Sequence, residues 1–475
     1  SDAINLVVTD TTAPASPSIS INSGADNTTS TNVTLTLSAT DSEGVTGYYA
    51  SESSTAPANN ASGWTSVTSS TSYSDNVSFS LSNVSSFGIH SRTIYIWYKD
   101  NAGNISLSAS DVISLIKKVI HVSSGANHTC AILISKKVYC WGRNDYTWMS
   151  GGGTGQLGDG TTAHSSTPVL VKNIDNASLV SAGTYHNCAV LTDGGIKCWG
   201  WGLGYGASGS NSSPTSISGI SSAISVSSGV GEISIQGTCA VLSDRTVKCW
   251  GNIMVGNGLT SGSNSPVTAT GINSATSVST GGDHICSSLA DGTIKCWGRN
   301  TYGQLGNGNQ IQQTTPILVN GISNAKTVSA GNDFTCALLL DGTINCWGRG
   351  WGGRLGNGTD NNDKNTPVSV SGVNTAISVS TGYAHACAVL SDGTIKCWGY
   401  NLYGQLGNRT KIDSYEPVSV NGISTAISVS DTQYNTCALL SGGGVKCWGA
   451  GGYGQLGNGL SETQTQPVEV EYFGN

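Results

Sequence analysis

Fourteen cysteines are the residues of this 475-residue chain whose spacing most plainly prescribes chemistry. They fall into seven pairs: Cys130/Cys140, Cys188/Cys198, Cys239/Cys249, Cys286/Cys296, Cys336/Cys346, Cys387/Cys397 and Cys437/Cys447. Nine residues separate the members of every pair, and successive pairs begin 58, 51, 47, 50, 51 and 50 residues apart. No CxxC occurs, which argues against zinc ribbons and thioredoxin-type exchange. A pair without a third or fourth ligand does not make a structural metal site. Disulfides formed in an oxidising compartment fit the even count, and buried free thiols are the alternative.

The local geometry favours disulfides. With Cys387 as place zero, Ser391-Asp392-Gly393 fills places four to six, which suits a three-residue hairpin loop ending in a left-handed glycine. Alternation back from the turn makes places zero and ten a non-hydrogen-bonded pair with Cα atoms about 4.5 Å apart, a span that a disulfide accepts. The reading predicts seven cross-strand disulfides, each inside its own repeat. Lys136 and Arg245 stand where Gly393 does, so those two turns are expected to be strained or altered.

Other side chains that could do chemistry are histidines, acids and aromatics. His128, His186, His284 and His385 each stand two places before the first Cys of a repeat, with Gly237, Phe334 and Asn435 in that place elsewhere. A sevenfold ring holds such residues too far apart to share one metal, so they read as structural donors to backbone. Asp360-Asn361-Asn362-Asp363 lacks the glycine and terminal glutamate of a calcium loop and reads as a solvated loop. Spacing assembles no Ser/His/Asp or paired-carboxylate centre, and neither an enzyme nor a cofactor is expected.

The elements that position these residues are short strands. After each second Cys comes Trp-Gly, then in most repeats Gly-Gln-Leu-Gly, then a proline opening a further strand at Pro168, Pro214, Pro266, Pro316, Pro367, Pro417 and Pro467. Four short apolar runs per repeat favour seven blades of four strands. Sixty-four glycines serve the turns, and charged residues are only 10% of the chain. A formal charge of −7 without a basic stripe makes nucleic acid a poor partner. No run approaches the roughly 20 apolar residues that span a membrane, so no direct membrane insertion is expected.

The wording Gly382-Tyr383-Ala384-His385-Ala386-Cys387-Ala388-Val389-Leu390, Asp392-Gly393-Thr394, Trp398-Gly399 and Gly404-Gln405-Leu406-Gly407 resembles the regulator of chromosome condensation repeat family. The resemblance covers residues 119–475 and implies a seven-bladed β-propeller. Paired cysteines depart from the nuclear members and point to a secreted bacterial branch. The nucleotide exchange and chromatin binding of the nuclear family head do not fit an acidic, disulfide-rich chain, whereas a secreted relative inhibits β-lactamases with one propeller face. Fold alone does not fix function.

Residues 9–118 alternate as strands at Asn32–Asp41 and Arg92–Tyr98, and read as a β-sandwich. The start Asp10-Thr11-Thr12-Ala13-Pro14 and the ending Trp97-Tyr98-Lys99-Asp100-Asn101-Ala102-Gly103-Asn104 resemble bacterial immunoglobulin-like domains strung along surface proteins. That implies a spacer. Asp41, Asp100 and Asn104 are oxygen donors that could gather at one end and hold Ca²⁺, with turn capping as the alternative. Residues 1–8 repeat the wording of 110–115, so they read as the last strand of a preceding domain of the same kind, with further such domains expected upstream.

In a four-stranded meander alternate loops emerge on opposite faces. One face receives the short Asp-Gly-Thr turns and looks plain. The other receives the Gly-x-x-His loops and the long segments after Trp-Gly, which carry Tyr146, Trp148, Met149, Trp201, Tyr205, Met254, Trp351 and Tyr400. These eight are the candidate ligand-binding residues, because exposed aromatics rimmed by polar groups make partner sites. Repeat one carries an insertion at Asp145–Thr154, expected as a flexible finger bearing Trp148 and Met149. Tyr185, Phe334, Tyr383 and Tyr434 are expected on the shorter loops of that face, while Tyr302, Tyr403 and Tyr453 are expected to pack between blades. The expectation is an all-β extracellular or cell-surface adhesion protein, an immunoglobulin-like sandwich presenting a propeller that binds a glycan or protein. A secreted enzyme inhibitor using the same face is the alternative.

Overall fold

The computed structural model describes residues 10–82, 84, 87–145, 154–203, 210–231, 237–358 and 361–471. The chain separates into two compact units, Ser1–Lys117 and Lys118–Asn475.

The first unit is a six-stranded all-β unit of β1 (Ala15–Ile21), β2 (Asn27–Thr28), β3 (Asn32–Ser51), β4 (Thr65–Ser80), β5 (Gly88–Asp100) and β6 (Ala109–Lys117). The long β3 pairs β1 along its first half and β5 along its second, with β4 on its other side from Asn32 to Tyr48 and the register shifting between Thr40 and Val45. Alternation decides which side is buried: Val33, Leu35, Leu37 and Ala39 turn inward with Ile94, Ile96, Tyr98 and Ile113 into one core.

The second unit begins with β7 (Val119–Ser124), β8 (His128–Leu133), β9 (Val138–Gly142) and β10 (Ser165–Leu170), paired in sequence order as one antiparallel sheet. Six more sheets of the same order follow, each from one continuous stretch of chain. The first strands pack side by side around an axis, and the seventh sheet packs back on the first. This closed ring is a β-propeller of seven blades. Each recurrent proline lies inside the fourth strand rather than opening it. That strand is the outer edge of its blade, where a missing N–H disrupts no ladder.

All seven expected disulfides are present, one inside each blade: Cys130–Cys140, Cys188–Cys198, Cys239–Cys249, Cys286–Cys296, Cys336–Cys346, Cys387–Cys397 and Cys437–Cys447. No cysteine is left free. The members of each pair face one another in register across the second and third strands of their blade. Their Cα atoms are 4.0 Å apart in Cys387–Cys397 and 4.1 Å apart in the other six. That is closer than the roughly 4.5 Å of an ordinary non-hydrogen-bonded pair. Lys136 and Arg245 keep the same turn as the glycines, at φ of 67° and 68° against 78° for Gly393. The turn is thus preserved, with a left-handed side-chain residue as its strain.

Neighbouring blades are locked by two recurring bonds that the hairpins alone do not reveal. The fifth residue of every inner strand is serine, and its hydroxyl accepts the sixth backbone N–H of the next inner strand. The series runs from Ser123 accepting Ala182 N at 2.9 Å, through Ser181 and Ser228 N at 2.8 Å, to Ser380 and Asp431 N at 2.8 Å. Ser430 closes the circle by accepting Ser124 N at 2.9 Å. The second lock joins the Gly-Gln-Leu-Gly turn to the next blade's buried tryptophan: Gln304 O accepts Trp347 Nε1 at 2.9 Å, and Gln455 O accepts Trp141 Nε1 at 3.0 Å across the closing seam.

Ser430→Ala should therefore cost about 1–3 kcal/mol, because it strands the buried Ser124 N–H. Ser181→Ala at an interior seam is expected to cost the same. Denaturant midpoints would measure both, and an unchanged midpoint in Ser430→Ala would show that the serine circle does not seal the ring.

Candidate functional site

The β8–β9 turns and their counterparts emerge on one side of the ring, the turn face. The loops between first and second strands and between third and fourth strands emerge on the other, the loop face. The turn face is not plain, since Ile120, Ile224, Ile377 and Ile427, each the second residue of its inner strand, are exposed there.

The loop face is organised by the residue after each Trp-Gly: Arg143, Trp201, Asn252, Arg299, Arg349, Tyr400 and Ala450 in blades one to seven. Its backbone is anchored to the preceding loop, as in Arg349 N to Asp333 O and Tyr400 N to Ala384 O, both 2.9 Å. In blades one, five and six the side chain then stacks on an aromatic of the previous blade. Arg143 lies 4.3 Å over the Tyr453 ring and Arg349 lies 4.7 Å over Tyr302. Tyr400 takes the same role against Trp351, with ring centroids 5.5 Å apart.

Trp351 is the most exposed aromatic of this strip, at 46% against 36% for Tyr403 and 38% for Tyr453. It sits on a single 3₁₀ turn, Trp351–Gly353, clamped by Asn361 and Asp363. Asp363 Oδ1 accepts Gly350 N at 2.9 Å, and Asn361 Oδ1 accepts Gly352 N at 2.8 Å. Below it Arg354 replaces the recurrent glutamine of Gly-Gln-Leu-Gly. Its Nε donates to Trp351 O at 2.8 Å and its guanidinium lies 5.4 Å from the Trp351 ring. Burial, and then the charge of Arg349, pull the Arg354 pKa down to about 10. Arg349 itself is neutralised by Asp333 at 3.1 Å. Tyr383, Tyr434 and Tyr403 continue the strip, with centroids 6.0 Å and 4.8 Å apart in turn.

Among the eight candidate residues the structure brings Trp351 and Tyr400 together. Trp201 is half-buried at the end of its strand, 6.2 Å from the Tyr185 ring. Met254 takes the recurrent glutamine's place in blade three and lines a separate cleft of about 460 Å³ with Ile253, Asp283 and Arg299. Tyr146, Trp148, Met149 and Tyr205 lie outside the described residues. Tyr185 and Phe334 are buried rather than displayed on the loop face, whereas Tyr403 and Tyr453, expected between blades, are exposed.

The histidines bond side chains of the next blade rather than backbone. His128 Nε2 meets Asn187 Oδ1 at 2.7 Å, His186 meets Thr238 Oγ1 at 2.8 Å, His284 meets Thr335 Oγ1 at 2.8 Å and His385 meets Thr436 Oγ1 at 2.9 Å. Where the next blade offers apolar Ile285 or Ala386 instead, the histidine is replaced by Gly237 or Phe334. Burial lowers His128 and His284 to about 4, so these rings are neutral structural pegs at physiological pH.

Fold and loop face together define a disulfide-stapled β-propeller whose displayed chemistry is stacking by aromatic rings and guanidinium groups, which suits binding. Two models of the regulator of chromosome condensation (RCC1) repeat match it, one at residues 137–190, 291–338, 341–389 and 392–439, the other at 119–147, 178–206, 275–304 and 376–405. Together they cover more than half of the sequence, and the chain belongs to the RCC1 repeat family. It is 37% identical over 78 residues to the human E3 ubiquitin-protein ligase HERC2, covering 16% of this chain and 1% of that protein. It is 30% identical over 119 residues to the Arabidopsis thaliana ultraviolet-B receptor UVR8, covering 23% and 25% respectively. The chain thus spans a small part of these curated relatives. Prp20p of Saccharomyces cerevisiae, described with its binding to Gsp1p and histones, superposes with a TM-score of 0.57 at 19% identity over 66% of this chain and 80% of its own.

Proposed function

We propose that this chain is an extracellular recognition protein of bacterial adhesion type, in which an immunoglobulin-like spacer carries a propeller that binds a glycan or protein on another surface. The observation that carries the reading is the Trp351–Tyr400 stack: an exposed indole on a turn whose backbone is clamped by Asn361 and Asp363, backed by Arg354. A rigid aromatic held before binding loses little freedom on contact, and tryptophan, tyrosine and arginine are the residue types that dominate binding energy. Seven disulfides are compatible with an extracellular location. Among the described residues no helix is long and apolar enough to cross a membrane. The secreted-inhibitor reading uses the same face and differs in the partner, an enzyme in solution.

A glycan array and a cell-binding assay with the full chain test the site. Trp351→Ala combined with Tyr400→Ala is expected to weaken binding about thirtyfold, as losing roughly 2 kcal/mol of hot-spot contact does, while the melting temperature of the propeller stays within a few degrees of the parent. Unchanged binding would remove this strip from consideration.

A further inference from the structure

The N-terminal unit holds three carboxylates whose arrangement turn capping does not fully explain. Asp10 precedes β1, Asp41 lies where β3 shifts register and Asp100 ends β5; one oxygen of each lies within 4.8 Å of one from each of the others. Capping accounts for their Oδ1 atoms. Asp10 Oδ1 accepts Thr12 N at 2.8 Å, Asp41 Oδ1 accepts Glu43 N and Gly44 N at 2.9 Å, and Asp100 Oδ1 accepts Gly103 N at 2.7 Å and Asn104 N at 2.9 Å. The second oxygens are the remainder. Asp100 Oδ2 accepts Asn104 Nδ2 at 2.7 Å, but the buried Oδ2 atoms of Asp10 and Asp41 have no partner. The Asp41 residue is only 7% exposed and Asp100 only 2%. Among the described residues no lysine or arginine forms an ion pair with any of the three.

We infer that Asp10, Asp41 and Asp100 form a Ca²⁺ site at this end of the unit. Two oxygens on opposite sides of a calcium ion lie up to about 5 Å apart, twice the Ca–O distance, so the three carboxylates fit around one ion. The donors are all hard oxygens, as this cation requires, and each is already oriented by its own turn. Asn104 is a positioning residue rather than a ligand through its amide nitrogen: Nδ2 donates to Asp100 Oδ2 and to Asp10 O at 3.1 Å and Thr12 O at 3.4 Å, holding the Asp10 segment against the β5 end. The ion thus fastens the segment before β1 to the ends of β3 and β5. Mg²⁺ is the poorer fit, because it needs a tighter octahedron and keeps several waters.

Titration calorimetry of the chelator-treated full chain with CaCl₂ tests the site. One Ca²⁺ per chain is expected, with a Kd of about 0.1–1 mM, the range of extracellular modules, and a higher melting temperature for the N-terminal unit in Ca²⁺ than in EDTA. Asp41→Asn keeps an oxygen to accept Glu43 N and Gly44 N, and Asp10→Asn lies outside the strands, so both variants should fold. Each is expected to weaken Ca²⁺ binding at least about tenfold through the lost ligand charge. No binding heat up to several-fold above that range, equal affinity in both variants, or Mg²⁺ binding as tightly as Ca²⁺ would overturn the assignment.

Discussion

The chain unfolded and fully reduced in denaturant is expected not to refold when returned to buffer with reductant, whereas the oxidised chain refolds. Each disulfide closes a loop between residues ten apart in sequence, which on the chain-entropy model contributes at most about 3 kcal/mol. Hairpins this local already restrict the unfolded chain, so the real contribution is smaller. Even one third of the ideal value over seven bonds is about 7 kcal/mol, comparable to the whole stability of an ordinary domain. Access makes the opposite prediction for the native state. All fourteen cysteines are at most 1% exposed, so dithiothreitol without denaturant should leave the bonds intact for as long as the blades stay closed. Near-ultraviolet circular dichroism and thiol counting by mass spectrometry read both outcomes. Recovery of the native spectrum by the reduced chain would mean that strand pairing and the inter-blade locks suffice without the bonds.

That experiment probes the part of the fold most open to reading from sequence. A hairpin is local, so a turn at places four to six fixes which cysteines meet, and alternation does the rest. What lies between blades was harder to read because it depends on residues about fifty positions apart. The histidines illustrate this. Their place was evident, but their partner is a side chain one repeat later, and the signal was the joint change of Gly237 with Ile285 and of Phe334 with Ala386. The serine circle had an equally simple trace, a serine after the buried valine of every inner strand, from Val122-Ser123 to Val429-Ser430. The loop face was half legible for a related reason. Trp201 and Met254 look like insertions when each repeat is read alone. Aligned on the cysteines, Trp201 takes the stacking place of Arg349, and Met254 takes the place of Gln304. Trp351 differs in half of its clamp: Asn361 Oδ1 accepts Gly352 N, where Gln304, Gln405 and Gln455 Oε1 accept the matching N–H of Tyr302, Tyr403 and Tyr453, while the bond from Gly350 N to Asp363 recurs as Asn401 N to Asp413.

The same alignment singles out Asp431. The sixth place of the inner strands holds Ser124, Ala182, Ser228, Thr280, Ala330, Thr381 and Asp431, so blade seven alone puts an acid there. Its side chain is fully buried, and no hydrogen bond of good geometry reaches either carboxylate oxygen. Burial pushes its pKa well above the ordinary carboxylate range, and the nearby Thr436 hydroxyl and Cys387 backbone offset this only in part. His385, with Nε2 3.7 Å from Asp431 Oδ1, supplies no counter-charge: burial and then the Arg354 charge hold it near 3, so it is neutral. An acid whose folded pKa is raised binds its proton more tightly in the native state than in the unfolded chain. Its unfavourable effect is therefore absent below the unfolded value of about 4 and grows as pH rises toward the folded pKa, by about 1.4 kcal/mol per pH unit. Asp431→Thr removes that dependence and installs the residue that blades four and six already use. Thr280 Oγ1 donates to Ser227 O at 3.2 Å, and Thr381 Oγ1 pairs with Ser329 Oγ at 2.8 Å. The variant is expected to be more stable than the parent at pH 7, with the gap closing toward pH 4. Urea denaturation from pH 4 to 8 measures the difference between the two chains. A gap that is constant over this range, or a variant weaker than the parent at pH 7, would mean that Asp431 is charged and paired in the folded protein. The sign of the slope separates the two cases because a paired acid, with its pKa depressed, stabilises the fold as pH rises.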